Sequence, residues 1–546
     1  MESLETHIRR CDDNSSSKSE SIRCVREPNN FVDDATALES MGHKQELKRN
    51  FSMLSMLGLA FAILNTWVAL SASISLALPS GGSSAVIWGL LIAGTCNLCL
   101  AASLAEFLSA YPTAGGQYHW AAIVSWKSSS RGISYITGWI NVCGWVALSA
   151  AASLLASTFV LNIINLLHPA FDAQPWHQFV IYIAFALISF LLNALLTRFL
   201  PYLTKTAFLW SVAGFVVIVI TVLACAAPNF QTGQSVYAHF RNETGWPDGL
   251  AWMLGMLQGF DATAHMIEEI PDPQRQGPKI MLYCIAIGMV TGFIFLSSLL
   301  FCVNNMDDVI TAKWGPILQI LMEATKSKVG SICLLMFPLL GVTLAIIAIM
   351  CTSTRMSYAF ARDRGLPFGN FLARVHPTLE VPLNALLWTV GWVIVFGCIF
   401  LGCSSSFNAI LSSAVVCLGM TYAIPPAIHL LRGRAMLPED RSFKIPGAWG
   451  WILNIIGVVW AIITTVLFIF PPQVPVTAQN MNYCIVALGI MVAIAGTTWV
   501  LDGRKCYEGP QLGHNQETKL SGDSSNKDSA YSYKEKMDKT GNEASA

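Results

Sequence analysis

The chain alternates long apolar runs with short polar loops, between a polar opening at 1–50 and a polar close at 503–546. A helix needs about 20 apolar residues to cross roughly 30 Å of hydrocarbon. On that criterion spans fall near 52–78, 85–108, 132–163, 178–197, 203–227, 249–268, 279–303, 329–354, 382–402, 407–431, 449–470 and 482–501. The pattern predicts an all-α polytopic membrane protein with about 12 transmembrane helices. The run at 132–163 is long for one crossing, so that helix is tilted or extends beyond the bilayer. Pro316 to Ala324 is amphipathic and predicts a short helix lying on the surface between two spans.

Composition agrees. Of 546 residues, 54% are hydrophobic and 12% charged, about half the charge of a soluble globular protein. Such a chain lacks the polar skin that water demands, and a lipid bilayer is its natural partner. Lysine plus arginine equals aspartate plus glutamate at 33 each, which offers nothing to nucleic acid. The 15 cysteines sit mostly singly inside apolar runs, as small hydrophobes do. Cys96 and Cys99 form a CxxC on an apolar helix without a second pair, so no metal site or other cofactor is implied. Residues 1–50 contain nothing like the apolar core of a secretory leader, and the first span is expected to act as its own insertion signal.

Orientation follows from lysine and arginine in the short loops. With the N-terminus inside, the inner loops hold 14 such residues and the outer loops only Arg241, Lys313, Lys326 and Lys328. Both termini are therefore expected in the cytosol, with the protein spanning most naturally the plasma membrane. Of the sequons, Asn242 alone falls in an outward loop and is the candidate glycan carrier. The tails at 1–50 and 503–546 read as disordered, flanking a transmembrane domain at 51–502.

Polar groups inside the spans carry the chemistry. The sixth span places Gly255, Gln258, Gly259, Asp261, Thr263 and His265 at or near its middle. An aspartate at a helix centre costs roughly 2.5–3.5 kcal/mol on insertion scales, and is tolerated where it faces a cavity or a partner. A break around Gly259, Phe260, Asp261 and Ala262 would expose main-chain dipoles and a carboxylate at mid-membrane, suited to an ammonium group. The alternative is a Gly255/Gly259 packing face with Asp261 paired to a neighbouring helix. His265 is a candidate proton-handling group. His265 and Glu268 share a helical face, but no second pair makes a metal site. In the first span Asn65, Thr66 and Trp67 sit at the centre, and their polar side chains compete with the helical ladder. Unwinding near Asn65–Ala69 is predicted, with polar packing between intact helices as the other reading.

Two loops have distinctive patterns. AEFLSAYPTAGGQYHW puts Glu106 at the inner end of the second span, ahead of Pro112, Gly115, Gly116 and Tyr118. MSYAFARDRGLPFGNFLARVHP follows the eighth span. Glycines there permit tight turns, and the mixed Arg/Asp charge suits an inner gate that forms and breaks ion pairs.

Those loops, with LESMGHKQELKRNFS before the first span and GFDATAHMIEEIPDPQRQGPKIM through the sixth, resemble the amino acid–polyamine–organocation superfamily. The resemblance is to its fungal amino acid/choline branch, which includes choline and GABA permeases, and runs from about residue 37 to 501. It implies a 5+5 inverted-repeat core, here 52–227 and 249–431, plus two extra helices at 449–501. It also implies that the first and sixth helices are broken at mid-membrane with substrate between them. By position the binding residues are then Asn65, Thr66, Trp67, Gly259, Phe260, Asp261 and Ala262. Glu106, Glu268 and Glu269 fall where the family carries acidic residues near the inner gate. Trp67 and Phe260 are expected to stack on a cationic nitrogen. Two departures stand out: the first helix lacks a glycine-rich break, and the sixth span is several residues short between Trp246–Gly249 and its Gly-Phe-Asp core.

The function implied is secondary active transport of a small amine-bearing solute by alternating access. Amino acids, GABA, choline and nitrogenous metabolites such as alkaloids or their precursors all qualify, and the resemblance makes protons the coupling ion. A non-transporting nutrient sensor is the alternative. An enzyme would need paired catalytic residues facing one membrane surface, and none stands out.

Overall fold

The computed structural model describes residues 53–113, 115–256, 273–402, 406–477, 480–507 and 509. Its helices of eight residues or more are α1 (Met53–Leu64), α2 (Thr66–Ala77), α3 (Gly82–Ala110), α4 (Gln117–Val124), α5 (Ser130–Leu167), α6 (Pro175–Leu195), α7 (Leu200–Ala226) and α8 (Asp248–Met256). After these come α9 (Pro273–Phe301), α10 (Pro316–Thr325), α11 (Lys328–Arg362), α12 (Leu383–Gly402), α13 (Ser406–Leu431), α14 (Gly447–Leu467) and α15 (Cys484–Thr498). Among the described residues, 10 helices are long and apolar enough to cross a bilayer, matching ten of the predicted spans. The first predicted span is the broken pair α1–α2. Of the sixth, only α8 is described, and Gly259, Phe260, Asp261, Ala262, His265, Glu268 and Glu269 lie outside the described residues.

Burial sorts the helices into a centre and a rim. In α11 and α13, 61% of the most apolar stretch is buried, against 22% in α7 and 17% in α15. The rim helices instead expose Leu195, Leu209, Ile220, Ile462 and Ile490. In water such side chains would drive aggregation; in hydrocarbon they meet their own kind. α5, with 38 residues, would be about 57 Å long at 1.5 Å per residue, longer than the hydrocarbon is thick. Its first turns carry a cluster described below.

Close helix approach depends on small residues, as expected where lipid supplies no hydrophobic drive between helices. A side-chain carbon on Gly138 of α5 would lie 2.3 Å from the Phe360 ring of α11, and one on Gly457 of α14 would lie 2.8 Å from Leu100 Cα of α3. α10 differs from expectation. Its Ile317, Leu318, Ile320, Leu321 and Ala324 are buried, and it packs on α2, α7 and α11 rather than lying free on the surface.

Phe360 is itself fully buried, so Gly138→Ala forces a shift in a filled core. We expect a loss of about 1–3 kcal/mol, read as a lowered thermal midpoint of the detergent-purified protein. Gly132→Ala, in open space on the same helix, should leave the midpoint unchanged; equal effects from the two would contradict the packing argument.

Candidate functional site

The first crossing is interrupted at a single residue. α1 ends at Leu64 and α2 starts at Thr66, with Asn65 between them at φ 21°, ψ 56°. Left-handed backbone costs most L-residues roughly 1–2 kcal/mol, but asparagine visits it more readily. The chain thus makes its break without the glycines whose absence stood out. Val68 N–H and Ala69 N–H both turn back to Asn65 O, at 2.9 and 3.1 Å. The predicted unwinding over Asn65–Ala69 is therefore confined to Asn65.

Neighbouring helices secure this hinge. Ser211 of α7 donates to Asn65 Oδ1 at 2.8 Å and accepts from Trp67 Nε1 at 2.8 Å. One hydroxyl, fully buried, ties both sides of the break. On the α11 side Gly341 leaves room for the Asn65 amide, which a side-chain carbon there would approach to 3.1 Å. The Trp67 ring packs on Phe295 of α9 at 5.3 Å and has no exposed surface. Trp67 is accordingly an anchor of the hinge, its indole N–H bonded to Ser211. Thr66 is buried, and its hydroxyl has no partner among the described residues.

The arginine-rich loops gather at one end of the bundle, where the two distinctive loop motifs meet. Asp363 Oδ2 accepts from Tyr118 Oη at 2.7 Å and lies 2.7 Å from His119 Nε2, whose Nδ1 is 2.8 Å from Thr113 Oγ1. The His119 and Asp363 side chains are 1% and 6% exposed, so water does little to screen their attraction. Burial, followed by the nearby Asp363 charge, raises the Tyr118 phenol well above its usual pKa; it stays protonated and donates. The glycines of both motifs have visible duties here. A side-chain carbon on Gly115 would lie 2.6 Å from the His119 ring, and one on Gly365 would lie 2.2 Å from Phe360.

Glu106 is placed at the same end but in a separate cluster. Its carboxylate accepts from Arg434 Nη2 at 2.8 Å, Arg441 Nη2 at 2.7 Å and Ile445 N at 2.9 Å. All three donors come from the α13–α14 connector, and the Glu106 side chain is 1% exposed. This carboxylate fastens the connector to the end of α3. Close by, His429 of α13 is buried against Phe107 with neither ring nitrogen bonded among the described residues. The identities of both arginines as partners were not evident from spacing, because more than 300 residues separate them from Glu106.

At the opposite end Asn242 pairs with Ser80 through the backbone. Its amide donates to Trp246 O at 2.7 Å and Asp248 Oδ1 at 2.9 Å, while its Oδ1 accepts from Thr244 N and Oγ1 at 3.1 and 2.8 Å. The sequon is thus knotted into the loop that leads to α8.

A multi-pass bundle, lipid-facing outside and interrupted at a buried polar hinge inside, has the build of a membrane carrier rather than of an anchor for a soluble domain. Comparison with known proteins agrees. The family model described as amino acid permease matches residues 52–493. The chain is similar to the choline transporter of Saccharomyces cerevisiae, 32% identical over 487 residues, covering 87% of this chain and 85% of that one. It is also similar to an amino-acid permease of Arabidopsis thaliana, 28% identical over 503 residues (87% and 95% covered), and to the swainsonine transporter of Arthroderma benhamiae, 27% identical over 469 residues (85% and 92% covered). This chain belongs to the amino acid permease family of the amino acid–polyamine–organocation superfamily.

Removing the Glu106 carboxylate would leave two nearly buried guanidinium groups facing each other. Glu106→Ala should therefore cost about 3–5 kcal/mol, with Glu106→Gln intermediate because it keeps an acceptor. Thermal unfolding in detergent measures this, and a wild-type midpoint for Glu106→Ala would show that the cluster contributes nothing.

Proposed function

We propose that the protein moves a compact amine-bearing solute across the membrane by alternating access, driven by protons. The observation that carries this reading is the Asn65 break in the first crossing. In hydrocarbon, irregular backbone persists only where protein or an internal cavity receives it, and a broken helix is where carriers of this architecture hold their cargo. The solute would lie between the Asn65–Thr66 hinge and residues 259–262. Asp261 supplies the counter-charge to its nitrogen and Phe260 an aromatic face, worth about 0.5–2 kcal/mol. The Thr66 hydroxyl is a hydrogen-bonding group available to the same ligand. The names of the relatives span choline, amino acids and swainsonine, which supports a nitrogenous solute.

The excess of arginine and lysine at one end supports a cytosolic assignment for that end and for both termini in a plasma-membrane protein. The Tyr118–His119–Asp363 cluster is then an inner latch. It joins α4, which follows α3, to the end of α11, so parting these helices toward the cytosol breaks the histidine and tyrosine contacts to Asp363 together. Residues 52–227 and 249–431 serve as the two repeats, and His265, Glu268 and Glu269 serve in proton coupling and gating.

Uptake of radiolabelled choline, GABA and neutral amino acids in a transport-deficient host tests the reading. We expect saturable uptake of at least one, abolished by a protonophore and reduced more than tenfold by Asp261→Asn, since one lost charge contact of about 1.4 kcal/mol is already tenfold. Binding without flux, or normal uptake by Asp261→Asn, would overturn it. Asp363→Asn should reduce uptake by releasing the latch while leaving the affinity of the outward-facing site unchanged.

A further inference from the structure

The last crossing ends in an arrangement that its polar surroundings do not suggest. After α15 the chain turns through Trp499–Gly503 and Arg504–Cys506. Val500 and Leu501 are 74% and 71% exposed, yet Tyr507 is fully buried. It folds beneath the first turns of α5. Arg131 Nε donates to Tyr507 O at 2.9 Å, and Arg131 Nη2 reaches Arg504 O at 3.1 Å. The Tyr507 ring stands edge-on to Tyr135 at 5.3 Å and to Phe360 at 5.9 Å. Its hydroxyl lies 2.6 Å from Ser134 Oγ.

The direction of that last bond follows from counting protons. Ser134 has one hydroxyl hydrogen, which it donates to Tyr118 O at 2.9 Å. Tyr507 Oη must then be the donor to Ser134 Oγ. Burial keeps the Tyr507 phenol protonated by raising its pKa above the usual value. The result is a directed relay: Tyr507 donates to Ser134, Ser134 donates to the Tyr118 main chain, and Tyr118 donates through its own phenol to Asp363. Phe360, three residues before Asp363, touches Tyr118 and Tyr507 alike. None of the motifs that carry the family resemblance includes Tyr507 or Ser134.

We infer that Tyr507 is a positioning residue of the inner latch: from the junction with the C-terminal segment it holds Tyr118, through Ser134, in the place where it binds Asp363. This rests on the latch reading above. It makes the segment after the last crossing a participant in gating rather than a mere exit. Loss of the Tyr507 hydroxyl removes a donor from a buried acceptor, and should raise the open fraction of the latch about two- to tenfold.

The exposed Arg364, next to Asp363, offers a reporter that does not need a transported substrate. The rate of tryptic cleavage at Arg364–Gly365 in the full-length purified protein follows local opening. Tyr507→Phe and Ser134→Ala should each speed that cleavage about two- to tenfold, with the thermal midpoint nearly unchanged for Tyr507→Phe, which keeps the ring. The double variant should be no faster than the faster single, because both break one relay. Asp363→Asn is the control for the latch itself. Accelerated cleavage in Asp363→Asn but not in Tyr507→Phe would overturn the role of Tyr507 alone. No acceleration in Asp363→Asn would overturn the latch and this inference with it. A lowered thermal midpoint for Tyr507→Phe without faster cleavage would show a merely structural tyrosine and overturn the positioning role.

Discussion

Inside a bilayer a main-chain amide has no water to fall back on, so every departure from helical bonding must be received by protein. That constraint organises this molecule. At Asn65 the main chain turns back on itself, with Val68 N–H and Ala69 N–H both bonded to Asn65 O, while one serine on another helix bonds the Asn65 side chain and Trp67 two residues on. The tryptophan is in turn wedged against Phe295. The break is therefore packed against three helices, α7, α9 and α11.

The same low-dielectric setting shapes the arginine-rich end. Charges withdrawn from water must be paired and bonded, and two carboxylates do so differently. Glu106 is fully saturated by donors from one connector, which makes it a fastening. Asp363 binds a phenol and an imidazole from α4, the short helix that follows α3, which makes it a contact between helices. Under the proposed alternating access, the first kind of joint would stay closed and the second would open.

Much of this was readable in the chain. The apolar spans emerge from length and hydropathy alone, and ten reappear as membrane-length helices. The hinge at Asn65 was visible as a polar interruption, because local competition for hydrogen bonds is written in neighbouring residues. It needs no glycine, since asparagine can also take left-handed backbone. The two loop motifs stood out by composition, but their meeting through Asp363 joins positions 244 and 245 residues apart. No local pattern encodes such a distance. Ser211, Arg434, Arg441 and Tyr507 were missed for the same reason, and Tyr507 carried no signal beyond being an aromatic in a polar stretch.

The outer loop at Asn242 bears on the order of events in biogenesis. Both amide hydrogens of that side chain are engaged by Trp246 and Asp248, whereas an N-linked sugar replaces one of them. A transferase acting on the finished loop would have to pull this knot apart. Any oligosaccharide added at this position would have to arrive while the polypeptide is still emerging, before the backbone bridge to Ser80 has formed.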